Sequence, residues 1–171
     1  MKKIQTTIAI LFIALFSISC SSSDDSPAQV APVPAANYFL KAKINDVQYQ
    51  TDAPFRVSTS RSTDRITIGS NLADGRNFEL IIDRPTGTGT YSVPLPAGTN
   101  YGMALRYGDA SSSSAIWSVG VCSGTTGTLT ITALSATEIS GTFTFTAKRT
   151  GGCAVAPISI TEGSFKSGII Q

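Results

Sequence analysis

The sequence of 171 residues contains no histidine. Hydrolases that use a Ser-His-Asp or Cys-His arrangement need histidine as the general base, so these mechanisms are excluded in their usual form. The same absence removes the commonest protein ligand for zinc, copper and non-haem iron. The three cysteines, Cys20, Cys122 and Cys153, lie too far apart in sequence for the closely spaced pairs of a structural zinc site. The sequence therefore predicts neither a metal site nor a cofactor.

Charged residues are scarce, at 14% of the chain. The formal net charge of +2 comes from Lys2 and Lys3, because the rest of the chain contains 11 basic and 11 acidic residues. No cluster of lysine and arginine is present, and proteins bind nucleic acids chiefly through such clusters. We therefore expect no nucleic-acid partner.

The sequence also lacks an apolar run long enough to cross a bilayer, which takes about 20 residues. The run Ile8–Phe16 is shorter than this, follows Lys2 and Lys3, and is followed by the small polar segment Ser17–Ser19. A basic start, a short apolar run and small residues before a cleavage point are typical of a signal peptide. We therefore assign residues 1–19 as a signal peptide. The alternative, an uncleaved anchor helix, would need a longer apolar run.

Cys20 directly follows the predicted signal peptide. The segment Ser17-Ile18-Ser19-Cys20 resembles a lipobox, with the small residue Ser19 before the cysteine, although a leucine is usual where Ser17 stands. In lipoproteins this cysteine becomes the first mature residue and carries a diacylglyceryl group on its thiol and a third acyl chain on its amine. One acyl chain binds a membrane only reversibly, so three chains predict a lasting membrane attachment through Cys20.

Residues 20–36 are predicted to form a tether between the lipid anchor and the folded domain. The run Ser21–Asp25 (SSSDD) resembles the surface-export signal of lipoproteins from the phylum Bacteroidota, and a serine directly after Cys20 argues against retention in the inner membrane. We expect an outer-membrane lipoprotein that faces the cell exterior, with a periplasm-facing position as the alternative. Because Pro27, Pro32 and Pro34 oppose regular structure, the tether is expected to span about 20–25 Å as a flexible coil.

From Asn37 onward, apolar and polar residues alternate with period two, and turn residues recur every eight to twelve positions. This pattern predicts a single all-β domain over residues 37–171, an antiparallel β-sandwich or flattened barrel of about ten strands. No segment shows a helical period, so no substantial helix is expected after the signal peptide. The predicted strands are Tyr38–Ile44, Val47–Gln50, Arg65–Asn71, Arg76–Asp83, Gly87–Val93, Tyr101–Tyr107, Ala115–Val121, Leu129–Ala133, Ile139–Ala147 and Ile158–Phe165.

One predicted hairpin relates the two remaining cysteines to each other. If its turn is Leu134–Glu138, the numbers of paired residues add up to about 273, and those of Cys122 and Cys153 add up to 275. The two cysteines should therefore lie opposite each other just beyond the paired strands. With Cys20 acylated, they are the only thiols left in an oxidising compartment, which favours a disulfide. The alternative, a free reactive cysteine, lacks a histidine to activate it.

Four segments of the domain resemble an uncharacterised family of Bacteroidota lipoproteins. They are FLKAKINDVQY from Phe39, GTLTIT from Gly127, EISGTFTFTA from Glu138 and ITEGSF from Ile160. The resemblance covers most of residues 37–165, with Asp46 standing where a glycine is usual. It implies an all-β domain of unknown activity and supplies no catalytic residues.

Aromatic residues are the candidate ligand-binding positions. Four fall in neighbouring predicted strands: Tyr91, Tyr101, Tyr107 and Trp117. Aromatic rings stack on sugars and anchor protein interfaces, so a glycan or a protein is the expected ligand. Trp117 stands at an inward position and is expected in the core instead. The predicted loops Gly98–Tyr101 and Gly108–Ser114 would then carry the binding.

Two functions of different classes fit these residues. The first is a non-enzymatic binding or accessory module that uses loops at one end of the domain. The second is a polysaccharide-acting hydrolase, which would need two carboxylates about 5–10 Å apart across a cleft. Most acidic residues fall at predicted turns or strand ends, as Asp46 and Asp74 do, and Glu79 alternates with apolar neighbours and should face solvent. We therefore favour the binding module over the enzyme.

Overall fold

The computed structural model describes residues 37–51, 53, 56–110 and 115–170. The predicted signal peptide, Cys20 and the tether lie outside these residues. The described chain confirms the all-β prediction, since it forms eleven strands and contains no α-helix. Within this part of the chain, no helix has the length and apolarity needed to cross a membrane.

The strands follow one another through short connections. They are β1 Phe39–Ile44, β2 Val47–Gln50, β3 Val57–Arg61, β4 Arg65–Asn71, β5 Asn77–Asp83, β6 Gly89–Val93, β7 Gly102–Asp109, β8 Ala115–Ser118, β9 Thr126–Leu134, β10 Glu138–Arg149 and β11 Ile158–Ile170. The strand β3 is absent from the sequence prediction, because Val57 is its only large apolar residue. The predicted Gly108–Ser114 loop starts later, since β7 runs through Asp109. The strand β8 stops at Ser118, and Gly120 then adopts a positive φ of 82°.

The strands pair in two layers that are joined at both sides. One layer has the order β2-β1-β11-β10-β9-β6, and the other has the order β3-β4-β5-β7-β8. They meet where the end of β11 pairs with β3 and where the end of β10 pairs with β8. Seven strands therefore pair in a closed ring, as in a flattened barrel, in the order β11-β3-β4-β5-β7-β8-β10 and back to β11. Strands β1 and β2 extend the sheet beyond β11, and strands β9 and β6 extend it beyond β10. The pairing is otherwise antiparallel, as predicted, with one exception that makes the sheet mixed, because β3 and β11 are parallel.

The core lies between the layers and has an aromatic centre at Phe78, which is 2% exposed. Its ring contacts Tyr49 of β2 and Tyr107 of β7, with ring centroids at 4.7 and 5.2 Å. It also contacts Phe143 and Phe145 of β10, at 5.5 and 6.1 Å. Burial raises the pKa of Tyr49 to about 12, and its hydroxyl forms a hydrogen bond with the Ser70 hydroxyl at 3.1 Å. Phe78 therefore links the two layers.

On the paired strands β10 and β11, a glycine of each strand lies opposite a phenylalanine of the other. Gly141 lies opposite Phe165, and Phe143 lies opposite Gly163, with all four buried. A Cβ atom at Gly141 would lie 2.8 Å from the Phe165 ring, and one at Gly163 would lie 2.6 Å from the Phe143 ring. Only glycine leaves room for the opposite ring at these positions. This packing accounts for the G-x-F spacing in EISGTFTFTA and ITEGSF, two of the four segments that carry the family resemblance.

Cys122 and Cys153 form the predicted disulfide, with their Cα atoms 5.6 Å apart. Cys122 lies in the loop between β8 and β9, and Cys153 lies in the loop that follows β10. Between them β10 changes partner, from β9 to β8. The disulfide therefore fastens a corner where the two layers meet.

Candidate functional site

The four candidate aromatic residues form two separate pairs instead of one cluster. Tyr91 and Tyr101 contact each other edge to face, with ring centroids 5.0 Å apart. Tyr107 and Trp117 lie opposite each other on β7 and β8. Tyr107 packs on Phe78, and burial raises the pKa of its hydroxyl. Trp117 is partly buried against the core, as its inward position indicates.

The hydroxyl groups of the first pair hold loops in place. The Tyr91 hydroxyl donates to the Gly87 carbonyl at 2.7 Å and accepts from the Thr86 backbone N–H at 3.0 Å. The Tyr101 hydroxyl accepts from the backbone N–H of Ser92 at 2.9 Å. Tyr91 is 2% exposed, so it holds the β5–β6 loop through these hydrogen bonds from a buried position beneath the loop. Tyr101 is half-buried and keeps part of its ring at the surface.

Tyr101 lines a cavity of about 480 Å³ between two loops, which we name the Arg84 pocket. Its lining residues come from the β5–β6 and β6–β7 loops: Arg84, Thr86, Gly98, Thr99, Asn100 and Tyr101. Its volume lies within the range of roughly 300–1,000 Å³ that small-molecule sites occupy. The pocket includes the Gly98–Tyr101 loop, one of the two loops in which the sequence predicts binding. The other loop falls mostly outside the described residues.

The loop that carries Gly98 and Tyr101 has a defined conformation. Thr99 closes it through its side-chain hydroxyl, which donates to the Pro96 carbonyl at 2.8 Å. Gly98 adopts a positive φ of 79°, a conformation that glycine takes without strain. This wall of the pocket is therefore fixed by the Thr99–Pro96 hydrogen bond within the loop and by the hydrogen bond between Ser92 and Tyr101.

Arg84 is the charged group of the pocket. Its φ is +54°, an uncommon conformation for a residue other than glycine, and such strain clusters at functional sites. The backbone N–H of Arg84 donates to the Asp64 carbonyl at 2.7 Å, which holds this conformation. Among the described residues its guanidinium makes no hydrogen bond or ion pair, whereas Arg65 and Arg106 each pair with a carboxylate. The exposed guanidinium is therefore available to a ligand, and its planar fork suits a carboxylate or a sulfate.

Most of the described carboxylates take part in ion pairs with lysine or arginine. Five of them form ion pairs, namely Glu162–Lys43, Asp83–Arg65, Asp74–Arg76, Glu79–Arg106 and Glu138–Lys166. Four cavities can be described, and none of their linings contains aspartate or glutamate. The pKa of Asp74 is lowered, chiefly by a hydrogen bond from the backbone of Arg76. The described chain also contains no group of three or more His, Cys, Asp or Glu residues that could hold a metal ion.

Arg84 is not among the candidate residues predicted from the sequence. Nothing in the chain sets it apart from the other basic residues, and its position before Pro85 predicts only an extended backbone. Arg84 is available to a ligand only if other cations pair with the nearby carboxylates, and the register between the strands decides which residues pair. Arg65 lies directly opposite Asp83 and pairs with it, and the next residue, Arg84, has no carboxylate partner among the described residues.

Comparison of the chain with protein-family models, with curated proteins and with solved structures found no match.

Proposed function

We propose that this protein is a cell-envelope lipoprotein that is anchored to the outer membrane through acylated Cys20 and faces the cell exterior. Its β-domain acts as a non-enzymatic binding module for an acidic glycan. The observation that carries the ligand class is the Arg84 guanidinium, which has no partner among the described residues and lies in a pocket whose described lining contains no carboxylate. An anion there would gain charge-assisted hydrogen bonds without competition from an internal partner.

The other groups of the Arg84 pocket suit a sugar. The Asn100 amide and the hydroxyls of Thr86 and Thr99 offer donors and acceptors for sugar hydroxyls. The half-buried Tyr101 ring provides an apolar face on which a sugar ring can stack. The hydrolase alternative has less support, because five of the described carboxylates are ion-paired and none lines a described cavity.

The Arg84→Gln variant tests the ligand class. We expect its affinity for an acidic polysaccharide to fall about 10- to 100-fold, because a hydrogen bond to a charged group contributes about 1.5–3 kcal/mol. The measurement is affinity gel electrophoresis of the full chain in polygalacturonate and in chondroitin sulfate, which carry carboxylates and sulfates. The matched control is Arg106→Gln, on the outer sheet face, which should bind like the wild type. Equal affinity for Arg84→Gln and the wild type would contradict the proposal.

The Cys20→Ala variant tests the anchor. We expect the wild-type chain to incorporate labelled palmitate and to sediment with outer membranes, whereas Cys20→Ala should do neither, because it has no acceptor thiol. Ser21→Ala, which keeps the cysteine, is the control and should behave like the wild type. Membrane sedimentation of Cys20→Ala would show that the attachment has another origin. Surface position is tested separately, by protease treatment of intact cells, which should remove the wild-type domain.

A further inference from the structure

The outer face of four adjacent strands carries an array of hydroxyl side chains, which we name the hydroxyl face. Every second residue is serine or threonine from Thr126 to Thr132 on β9 and from Ser140 to Thr146 on β10. Thr90 and Ser92 of β6 continue the array on one side, opposite Thr130 and Thr128. Ser159, Thr161 and Ser164 of β11 continue it on the other side, where Glu162 and Lys166 are also accessible to solvent. The array is thus continuous across β6, β9 and β10 and ends along β11.

On β9 and β10 the hydroxyl face contains no charged residue from Thr126 to Thr132 or from Ser140 to Thr146. The charged residues of this outer face lie at the border of the patch, where Lys43 pairs with Glu162 and Lys166 pairs with Glu138. Threonine favours strands, which explains its presence on a solvated sheet face. The patch is therefore an uncharged, hydroxyl-rich surface with ion pairs at its border.

The hydroxyl groups hold one another in position across the strands. Thr128 and Thr144 are 3.0 Å apart between their Oγ1 atoms, and so are Thr90 and Thr130. Because one hydroxyl of each pair donates to the other, each pair keeps one free donor hydrogen and several acceptor lone pairs. Such pairs repeat at about 4.8 Å between strands and about 6.8 Å along a strand. The face is therefore a pre-ordered set of donors and acceptors with threonine methyl groups between them.

One end of the hydroxyl face forms a groove of about 280 Å³. Its hydroxyl-bearing walls include Ser92, Thr128, Thr144, Thr146 and Thr161, and none of its described lining residues is charged. The volume is slightly below the range of roughly 300–1,000 Å³ that small-molecule sites occupy. The groove can thus hold part of a longer molecule whose remainder lies on the rest of the hydroxyl face.

These properties select the chemical class of the ligand. A charged ligand would find no countercharge among the hydroxyl groups of β6, β9 and β10, because the ion pairs lie at their border. An apolar partner would bury hydroxyl groups without hydrogen-bond partners, at a cost of about 1–3 kcal/mol each. An uncharged molecule rich in hydroxyl groups needs no countercharge, and it can form hydrogen bonds with the hydroxyl groups that it covers. We propose that the hydroxyl face binds a neutral polysaccharide, with part of the polymer seated in the groove.

The twist of the sheet favours a single polysaccharide chain over a crystalline surface. Adjacent strands rotate by about 20–25° relative to each other, so a ligand that is rigid in two dimensions, such as ice or a crystalline fibre, would match only neighbouring strands. A single flexible chain can follow the twisted face. This site is separate from the Arg84 pocket, because the two share no lining residue and prefer ligands of different charge.

The test is affinity gel electrophoresis of the full chain, purified in mild detergent, in three neutral polymers: dextran, galactomannan and mixed-linkage β-glucan. We expect at least one of them to retard the wild type. The double variant Thr128→Val and Thr144→Val keeps the shape of both side chains and removes their hydroxyls, so its affinity should fall at least tenfold. Thr67→Val, on the outer face of β4, is the matched control and should bind like the wild type. Melting temperatures of all variants check that each one is folded.

The outcomes separate this site from the Arg84 pocket. Arg84→Gln should keep its affinity for the neutral polymer, and the double threonine variant should keep its affinity for the acidic one. If none of the three neutral polymers retards the wild type, or if the folded double variant is retarded equally, the proposal is overturned. Binding of the wild type to ice crystals without retention in these polymers would also overturn it, in favour of a two-dimensional ligand.

Discussion

Replacing Phe78 with alanine should lower the free energy of unfolding by about 3–5 kcal/mol. Phe78 is 2% exposed, and its ring contacts four other rings that come from three strands. Its removal leaves a cavity at the place where the two layers touch, and the surrounding rings cannot collapse into it without moving their strands. Edge-to-face contacts such as the one with Tyr49 are lost as well. The loss is a large fraction of the 5–15 kcal/mol that stabilises a typical domain.

Urea denaturation followed by tryptophan fluorescence measures this loss. Trp117 is the sole tryptophan of the chain and is packed against the core, so its emission reports unfolding. Phe39→Ala is the control, because Phe39 lies on the outer side of β1, half-buried, beneath Lys41 at 5.7 Å. It should cost roughly 1 kcal/mol or less, as partial burial implies. A loss below about 1.5 kcal/mol for Phe78→Ala would contradict the central role of this residue.

Replacing both Cys122 and Cys153 with serine should lower the free energy of unfolding by about 3.5 kcal/mol. The disulfide closes a loop with a sequence separation of 31 residues, and opening it returns conformational entropy to the unfolded chain. It also releases the corner where β10 changes its partner from β9 to β8. For a domain of this size, the melting temperature should fall by about 10–15 °C.

The reduced wild type provides the matched control for the cysteine variant. Treatment with a reducing agent should lower the stability of the wild type to that of the double variant, and should leave the variant itself unchanged. Thiol labelling of the unreduced, denatured wild type gives an independent check, because neither Cys122 nor Cys153 should react. Labelling of both residues, or equal stability of wild type and variant, would contradict a structural disulfide.

The β9–β10 hairpin shows how much of the fold can be predicted from the sequence. Alternation of threonine with apolar residues over both segments predicts two strands with one buried face, and the observed strands Thr126–Leu134 and Glu138–Arg149 have this pattern. The predicted register agrees with pairs such as Ile139 with Leu134. That register placed Cys122 opposite Cys153. All of this depends on neighbouring segments joined by a short turn, where sequence spacing and spatial pairing coincide.

The strand β3 and the pairing that it completes could not be predicted in this way. Its sequence, VSTSR, has one large apolar residue, and Thr59 is buried without a hydrophobic signal. It becomes a strand because β4 pairs with it on one side and residues Ile169 and Ile170 of β11 pair with it on the other. The partner on β11 is more than a hundred residues away, so no local pattern records the contact. The parallel direction of this pair was missed for the same reason.

The sequence by itself determined the all-β class, most of the strands and the disulfide, because period-two burial and turn chemistry are local properties of the chain. Only the tertiary structure decided how the layers close and which polar groups remain without an internal partner. Tyr91 and Tyr101 became loop supports, and Arg84 became an available cation, through contacts that join separate strands and loops. The hydroxyl face likewise follows from the order β6-β9-β10-β11, which aligns threonines from four segments. The Arg84 pocket and the hydroxyl face both depend on the register between strands that are distant in sequence. The sequence pattern of a single segment does not specify that register.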